Sequence, residues 1–187
     1  ERTPVQRIQE FSSLFVNARY IDGYGLTETC SGDTLMQPGR EIEKIGSAGR
    51  ALSHVRVEIR DENGVCLPAN QSGEICLLGP KVTKGYWRDE QKTRESFFGD
   101  WFRTGDMGYL DEDGFIFLVD RKKDMIIRGA ENIASSEVER VLYQMEVVEE
   151  AAVIGMPDPE WGERVTAVVA LREGGTLTLD DVREFCR

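Results

Sequence analysis

Histidine is almost missing from this chain, and the little cysteine it has does not cluster. His54 stands alone, and Cys30, Cys66, Cys76 and Cys186 include no Cys-x-x-Cys pair. Zinc ligation needs such donors gathered at short spacing, so no metal site of that kind is expected. The spacing reads instead as reduced thiols in a cytoplasmic protein. No apolar run approaches the roughly 20 residues that span a bilayer, so no transmembrane segment is expected. The opening Glu1-Arg2-Thr3-Pro4 leads into a polar pattern and not into a signal peptide. Positive charge is in deficit, with 23 Lys and Arg against 34 Asp and Glu. A net charge of −11 argues against nucleic acid or an anionic membrane surface as a partner. Repeats and low-complexity segments are lacking too.

What is present is the composition of a globular protein, 40% hydrophobic and 30% charged, which allows a core. At 187 residues the chain is one domain or parts of two. Val5, Ile8, Phe11 and Phe15 recur at helical spacing and predict an opening amphipathic helix. Ala18 to Asp22 reads as a short strand feeding a turn at Gly23-Tyr24-Gly25. Short β runs follow: Val55 to Ile59, ending near the turn pair Asn63-Gly64, then Glu74 to Leu78, then Phe115 to Val119 after Asp113-Gly114. One helix is expected over Asp89 to Phe98. The region around 50–119 therefore reads as a small antiparallel β subdomain.

Beyond Asp120 the order becomes strand, helix, strand, strand, helix. Ser136 and Glu139 form a candidate capping box. Val138, Val141, Leu142 and Met145 then make one apolar face. Val147 to Ile154 and Val165 to Leu171 read as strands separated by a Pro157-Asp158-Pro159 turn. Thr178 is placed to cap a last helix carrying Val182 and Phe185. No C-cap signal follows, which reads as a chain cut within that domain.

Three stretches carry chemistry-bearing residues. In Gly23-Tyr24-Gly25-Leu26-Thr27-Glu28, two glycines flank an aromatic ring that could lie against a flat ligand. A hydroxyl and a carboxylate follow, although a glycine turn before an exposed acid would look the same. About eighty residues later comes Arg103-Thr104-Gly105-Asp106. A carboxylate there can accept from two vicinal hydroxyls at once, or can close an Asx turn. The third is Asp120-Arg121-Lys122-Lys123-Asp124-Met125-Ile126-Ile127-Arg128, followed by Gly129-Ala130-Glu131-Asn132. By itself such a basic cluster is a solvated loop.

In combination and order these stretches resemble the acyl-adenylate-forming superfamily, the AMP-dependent synthetases and ligases, and most nearly the fatty and aryl acyl-CoA synthetases. Gly73-Glu74-Ile75 and Gly85-Tyr86-Trp87 resemble a further family signature, read here as structural and given no catalytic role. The resemblance implies an α+β chain with three parts. These are the end of a large α/β AMP-binding domain (1–119) that includes the β subdomain, a hinge at Asp120, and a partial small α/β domain (120–187). It implies nucleotide binding by Gly23, Tyr24, Gly25, Thr27, Asp106, Arg121 and Lys123. Thr27 and Glu28 would serve catalysis, and Glu28 would hold Mg2+. Gly129 and Ala130 would line the CoA channel. The partners implied are a carboxylic acid, ATP and CoA, with AMP formed in the reaction. A carrier protein replaces CoA in an alternative reading, and a noncatalytic nucleotide-binding or interaction module is a third. Many acyl-CoA synthetases have Gly-Gly where Gly129-Ala130 stands, and one added methyl in a tight channel costs on the order of 1 kcal/mol.

The sequence holds no Gly-rich Ser/Thr/Lys loop of the kind that cradles β- and γ-phosphates. The catalytic lysine implied by the resemblance would lie beyond Arg187, and most of the acyl pocket before Glu1. The expectation is a fragment inactive in isolation.

Overall fold

The computed structural model describes residues 5–129 and 131–186. Contacts divide the chain into two compact units, Glu1–Leu118 and Val119–Arg187.

The first unit opens with helix α1 (Val5–Leu14) and a three-stranded antiparallel sheet of order β1-β2-β3. Its strands are β1 (Gly23–Leu26), β2 (Ser31–Leu35) and β3 (Arg50–Ala51), with a 3-10 turn at Thr27–Thr29 between the first two. The strand expected at Ala18 to Asp22 is not formed, and extended structure begins at Gly23, inside the expected turn. The physical reason is close approach and not chain reversal. Neither Gly23 nor Gly25 takes a positive φ. A Cβ on Gly25 would lie 2.5 Å from the Ser31 carbonyl oxygen, so glycine lets β1 settle onto β2.

A second, five-stranded sheet follows: β4 (Arg56–Arg60), β5 (Gly73–Leu78), β6 (Phe97–Phe98), β7 (Trp101–Leu110) and β8 (Ile116–Arg121). The order is β4-β5-β7-β6, with β8 also on β7. β5 is central and buried from Gly73 to Leu77, which is why it carries Ile75, Cys76 and Leu77 in succession. Ile59, Ile75, Leu77 and Ile116 form the core with Val55 and Ala48. Each such side chain contributes about 1.5–3 kcal/mol on burial. The helix expected to reach Phe98 is shorter, α2 (Glu90–Glu95). The Asp89 side chain caps it by accepting from Lys92 N at 2.9 Å. Phe97 and Phe98 leave the helix to pair with β7, where Phe97 meets Phe102 edge-on at 5.4 Å.

The second unit holds β9 (Ile126–Arg128), β10 (Glu131–Ile133), α3 (Ser135–Leu142), β11 (Val148–Asp158), β12 (Gly162–Leu171) and α4 (Leu179–Phe185). The sheet order is β10-β9-β12-β11, all antiparallel. Ile126, Leu142 and Val153 are its buried centre, with Val138 and Met145 packed against them. β11 and β12 run longer than expected, so the reversal falls at Pro159-Glu160-Trp161. There Asp158 Oδ1 accepts from Glu160 N and Trp161 N, both at 3.0 Å. The Thr178 capping box forms, with Asp181 as its acid.

The box expected at Ser136 and Glu139 does not form. Ala134 is the N-cap of α3, and Glu139 Oε1 accepts from Val153 N at 2.8 Å instead. Ser136 Oγ donates to the Val119 carbonyl at 2.7 Å. The capping acceptor is Asp120, whose Oδ2 takes Ser136 N at 3.1 Å and Ser135 Oγ at 2.9 Å. No helix among the described residues is long and apolar enough to cross a membrane.

Candidate active site

In β1 the side chains alternate, so Tyr24 and Leu26 turn towards the core of the first unit while Gly23 and Gly25 face out. The glycines leave an open depression of about 630 Å³ over this hairpin, lined by Gly23, Tyr24, Gly25, Thr27, Ser31 and Leu35 among others. Thr27 is exposed at its edge and Glu28 is half-buried.

Asp106 meets the Tyr24 side chain through a distortion in β7. Glu74 pairs with Met107 and Cys76 with Arg103, so Ile75 of β5 stands opposite three residues, Thr104, Gly105 and Asp106. This is a bulge, and Gly105 makes it with φ +76. Thr104 Oγ1 fixes it by donating to the Ile75 carbonyl at 2.8 Å and accepting from Asp106 N at 3.1 Å. Behind the bulge lies Glu74, a buried carboxylate. Its Oε2 accepts from Arg103 Nη2 at 2.9 Å and its Oε1 from Gly105 N at 3.3 Å. The Tyr24 hydroxyl donates to Asp106 Oδ2 at 2.7 Å, closing a contact between residues 82 positions apart. Burial raises the Tyr24 phenol well above its ordinary pKa, and the Asp106 carboxylate adds to this against an opposing bond with Thr104. The phenol is therefore a fixed donor near neutral pH.

Glu28 is held from another direction. The Tyr86 hydroxyl donates to Glu28 Oε1 at 2.9 Å, and Thr83 N donates to the Glu28 carbonyl at 2.7 Å. Next to it, Asp33 is fully buried at the irregularity of the β1–β2 pairing. Its Oδ2 accepts from Thr29 Oγ1 at 2.5 Å, and Lys81 Nζ lies 2.9 Å from Oδ1. That approach is ionic and poorly directed as a hydrogen bond, since Oδ1 accepts none. Lys81 also donates to the Gly32 carbonyl.

Sequence reasoning missed Glu74, Tyr86, Asp33 and Lys81. The Gly-Glu-Ile and Gly-Tyr-Trp stretches, read as structural, bring Glu74 to the bulge at Gly105 and Tyr86 to Glu28.

The oxygen donors suit a nucleotide with a divalent cation. Among the described residues no three His, Cys, Asp or Glu side chains gather into a metal site of their own. A lone carboxylate such as Glu28 fits a cation that arrives with phosphate oxygens, the usual magnesium arrangement.

In the second unit, Asp120 caps α3 as described, and its Oδ1 accepts from Arg121 N at 2.8 Å. Arg121 and Lys123 are exposed. Gly129 takes φ +63 and donates its N–H to the Trp161 carbonyl at 2.7 Å. Ala130, paired with it in the expected CoA channel, lies outside the described residues.

A family model for the AMP-binding enzyme matches residues 1–87, and one for the AMP-binding enzyme C-terminal domain matches residues 137–187. The chain belongs to the AMP-binding enzyme family. Its relatives in that family include a 2-succinylbenzoate–CoA ligase of Geobacillus sp. (strain WCH70), 42% identical over 164 residues. That match takes in 88% of this chain and 33% of the ligase. The long-chain-fatty-acid–CoA ligase FadD13 of Mycobacterium tuberculosis is 38% identical over 170 residues, 91% of this chain and 33% of the relative. Among solved structures, the o-succinylbenzoate CoA synthetase MenE of Bacillus subtilis, in complex with the acyl-adenylate intermediate OSB-AMP, superposes with a TM-score of 0.89 at 35% identity. It covers 100% of this chain and 37% of MenE. The same synthetase is known in complex with ATP and magnesium ion. The chain spans about a third of the length of the curated family members it matches.

Proposed function

We propose that this AMP-binding family chain contributes the nucleotide end of an ATP-dependent acyl-CoA synthetase. The carboxylate of an acid substrate attacks the α-phosphate of ATP, an acyl–O–P bond forms, and pyrophosphate leaves. The thiol of CoA then attacks the acyl carbon, AMP departs, and the thiol proton is released. The observation that carries this reading is the Tyr24–Asp106 contact. It joins two motifs 82 residues apart, and Tyr24 itself lines the cleft together with Thr27.

In this reading Tyr24 anchors Asp106 by one oxygen, and the carboxylate accepts the ribose hydroxyls. Gly23 and Gly25 leave room for the base, and Thr27 faces the phosphates. Glu28 would hold magnesium together with those phosphates, and the ion would supply charge neutralisation at the pentavalent phosphorus. Arg121 and Lys123 contribute cations to the nucleotide from the second domain. Asp120 serves as the hinge between residues 1–119 and 120–187, with Gly129 and Ala130 facing CoA after rotation. The four cysteines are all free, which accords with a reducing cytoplasmic setting.

The test is carboxylate-dependent ATP–pyrophosphate exchange by the whole protein, with the 187-residue chain run beside it. Exchange by the whole protein with an aryl or fatty acid is the expected outcome. The chain alone should be silent, because losing even one preorganised group typically costs about 10²–10³ in rate. No exchange with any acid would reject adenylation.

A further inference from the structure

Gly85, Tyr86 and Trp87 lie together in sequence, yet the structure parts the two aromatics. Trp87 is 87% exposed, whereas Tyr86 is half-buried and turned inward. The turn depends on a seat against α2. Gly85 takes φ +145, and a Cβ there would lie 2.5 Å from Thr93 Cγ2. Tyr86 N donates to Thr93 Oγ1 at 2.9 Å, and Thr93 Oγ1 donates to the Asp89 carbonyl at 2.8 Å. Lys92 Nζ sits 4.2 Å from the Tyr86 ring centre. The ring is thus fixed at its backbone, its face and its hydroxyl.

That hydroxyl ends 2.9 Å from Glu28 Oε1, while Thr83 N grips the Glu28 carbonyl at 2.7 Å. The segment from Thr83 to Tyr86 therefore holds Glu28 at both backbone and carboxylate. It is braced internally, since Thr83 Oγ1 donates to the Gly85 carbonyl at 3.0 Å and Gly85 N lies 3.2 Å from Thr83 Oγ1. No described residue donates to Glu28 Oε2. An exposed glutamate samples several rotamers, and one whose Oε1 is fixed presents Oε2 in a single direction.

We propose that Tyr86 is a positioning residue that fixes the Glu28 carboxylate, so that its second oxygen meets the divalent cation travelling with the nucleoside triphosphate. The proposal rests on the reading of Glu28 as the metal-holding acid. Tyr86 acts through Glu28 and touches neither nucleotide nor metal.

The experiment compares wild type, Tyr86→Phe, Thr93→Val and Glu28→Gln in the whole protein. Mn2+ binding is followed by water-proton relaxation in the presence of a non-hydrolysable ATP analogue, and the magnesium dependence of pyrophosphate exchange is measured alongside. Loss of a hydrogen bond to a charged acceptor predicts about tenfold weaker Mn2+ binding for Tyr86→Phe. The magnesium needed for half-maximal exchange should rise in parallel, with kcat at saturating magnesium falling far less. Thr93→Val, which loosens the seat but keeps the phenol, should give a smaller shift in the same direction. A Tyr86→Phe protein with wild-type Mn2+ affinity beside a weakened Glu28→Gln would overturn the proposal and leave the role of Glu28 standing. So would a Tyr86→Phe effect confined to the melting temperature. Unchanged Mn2+ affinity in Glu28→Gln would reject the metal role of Glu28 and the proposal with it.

Discussion

Gly105 determines where Asp106 points, and it does so by backbone alone. Its φ of +76 is a region that costs an L-residue about 1–2 kcal/mol, and nothing lies within 4 Å of where its Cβ would be. Gly105→Ala therefore tests conformation without a steric clash. We expect about 1 kcal/mol less stability in denaturant unfolding and a KM for ATP raised by roughly tenfold as Asp106 loses its aim. Wild-type values for both would mean that the bulge does not need a left-handed residue. At this scale the sequence was informative about identity and silent about cause. Thr104-Gly105-Asp106 could be singled out because a carboxylate after a Gly turn has a chemical use. That Ile75 faces three residues of β7, and that Glu74 stands behind them, depends on strand register, which no local pattern encodes. The contact of Tyr86 with Glu28 is hidden for the same reason, since the two are 58 residues apart.

Among elements, the β1–β2 hairpin is the part most exposed to a single substitution. Asp33 is fully buried, and Lys81 compensates its charge from the loop after β5. Removing one member of such a pair strands the other, at a typical cost of 3–5 kcal/mol, whereas removing both costs far less. Lys81 is partly exposed, so the low end applies. Lys81→Met should lower stability by about 3 kcal/mol, and Asp33→Asn added to it should restore most of that loss. A double-mutant cycle in urea measures this, and additive losses would show that the pair is not coupled. The elements themselves were largely legible, since hydrophobic alternation located β4, short apolar runs located β5 and β8, and helical spacing located α1 and α3. What misled was punctuation. The glycines around Tyr24 suggested a turn but serve close strand packing, and Ser136 with Glu139 suggested a local cap although Asp120 supplies one from 16 residues away.

Two separate buried clusters stand out among the described residues, one around Ile59, Ile75, Leu77 and Ile116, the other around Ile126, Leu142 and Val153. They share no residue. A hinge at Asp120 is useful only if each side moves as a rigid body, and a core of its own is what makes a body rigid. The Asp120 carboxylate belongs with the second of these cores, because its bonds to Ser135 and Ser136 tie it to α3. Separate cores predict separate unfolding. Calorimetry should resolve two transitions, with Ile59→Ala moving one and Leu142→Ala the other, each by about 3 kcal/mol of lost stability. If both substitutions displace a single common transition equally, the two units unfold as one, and rotation between them as rigid bodies loses its physical basis.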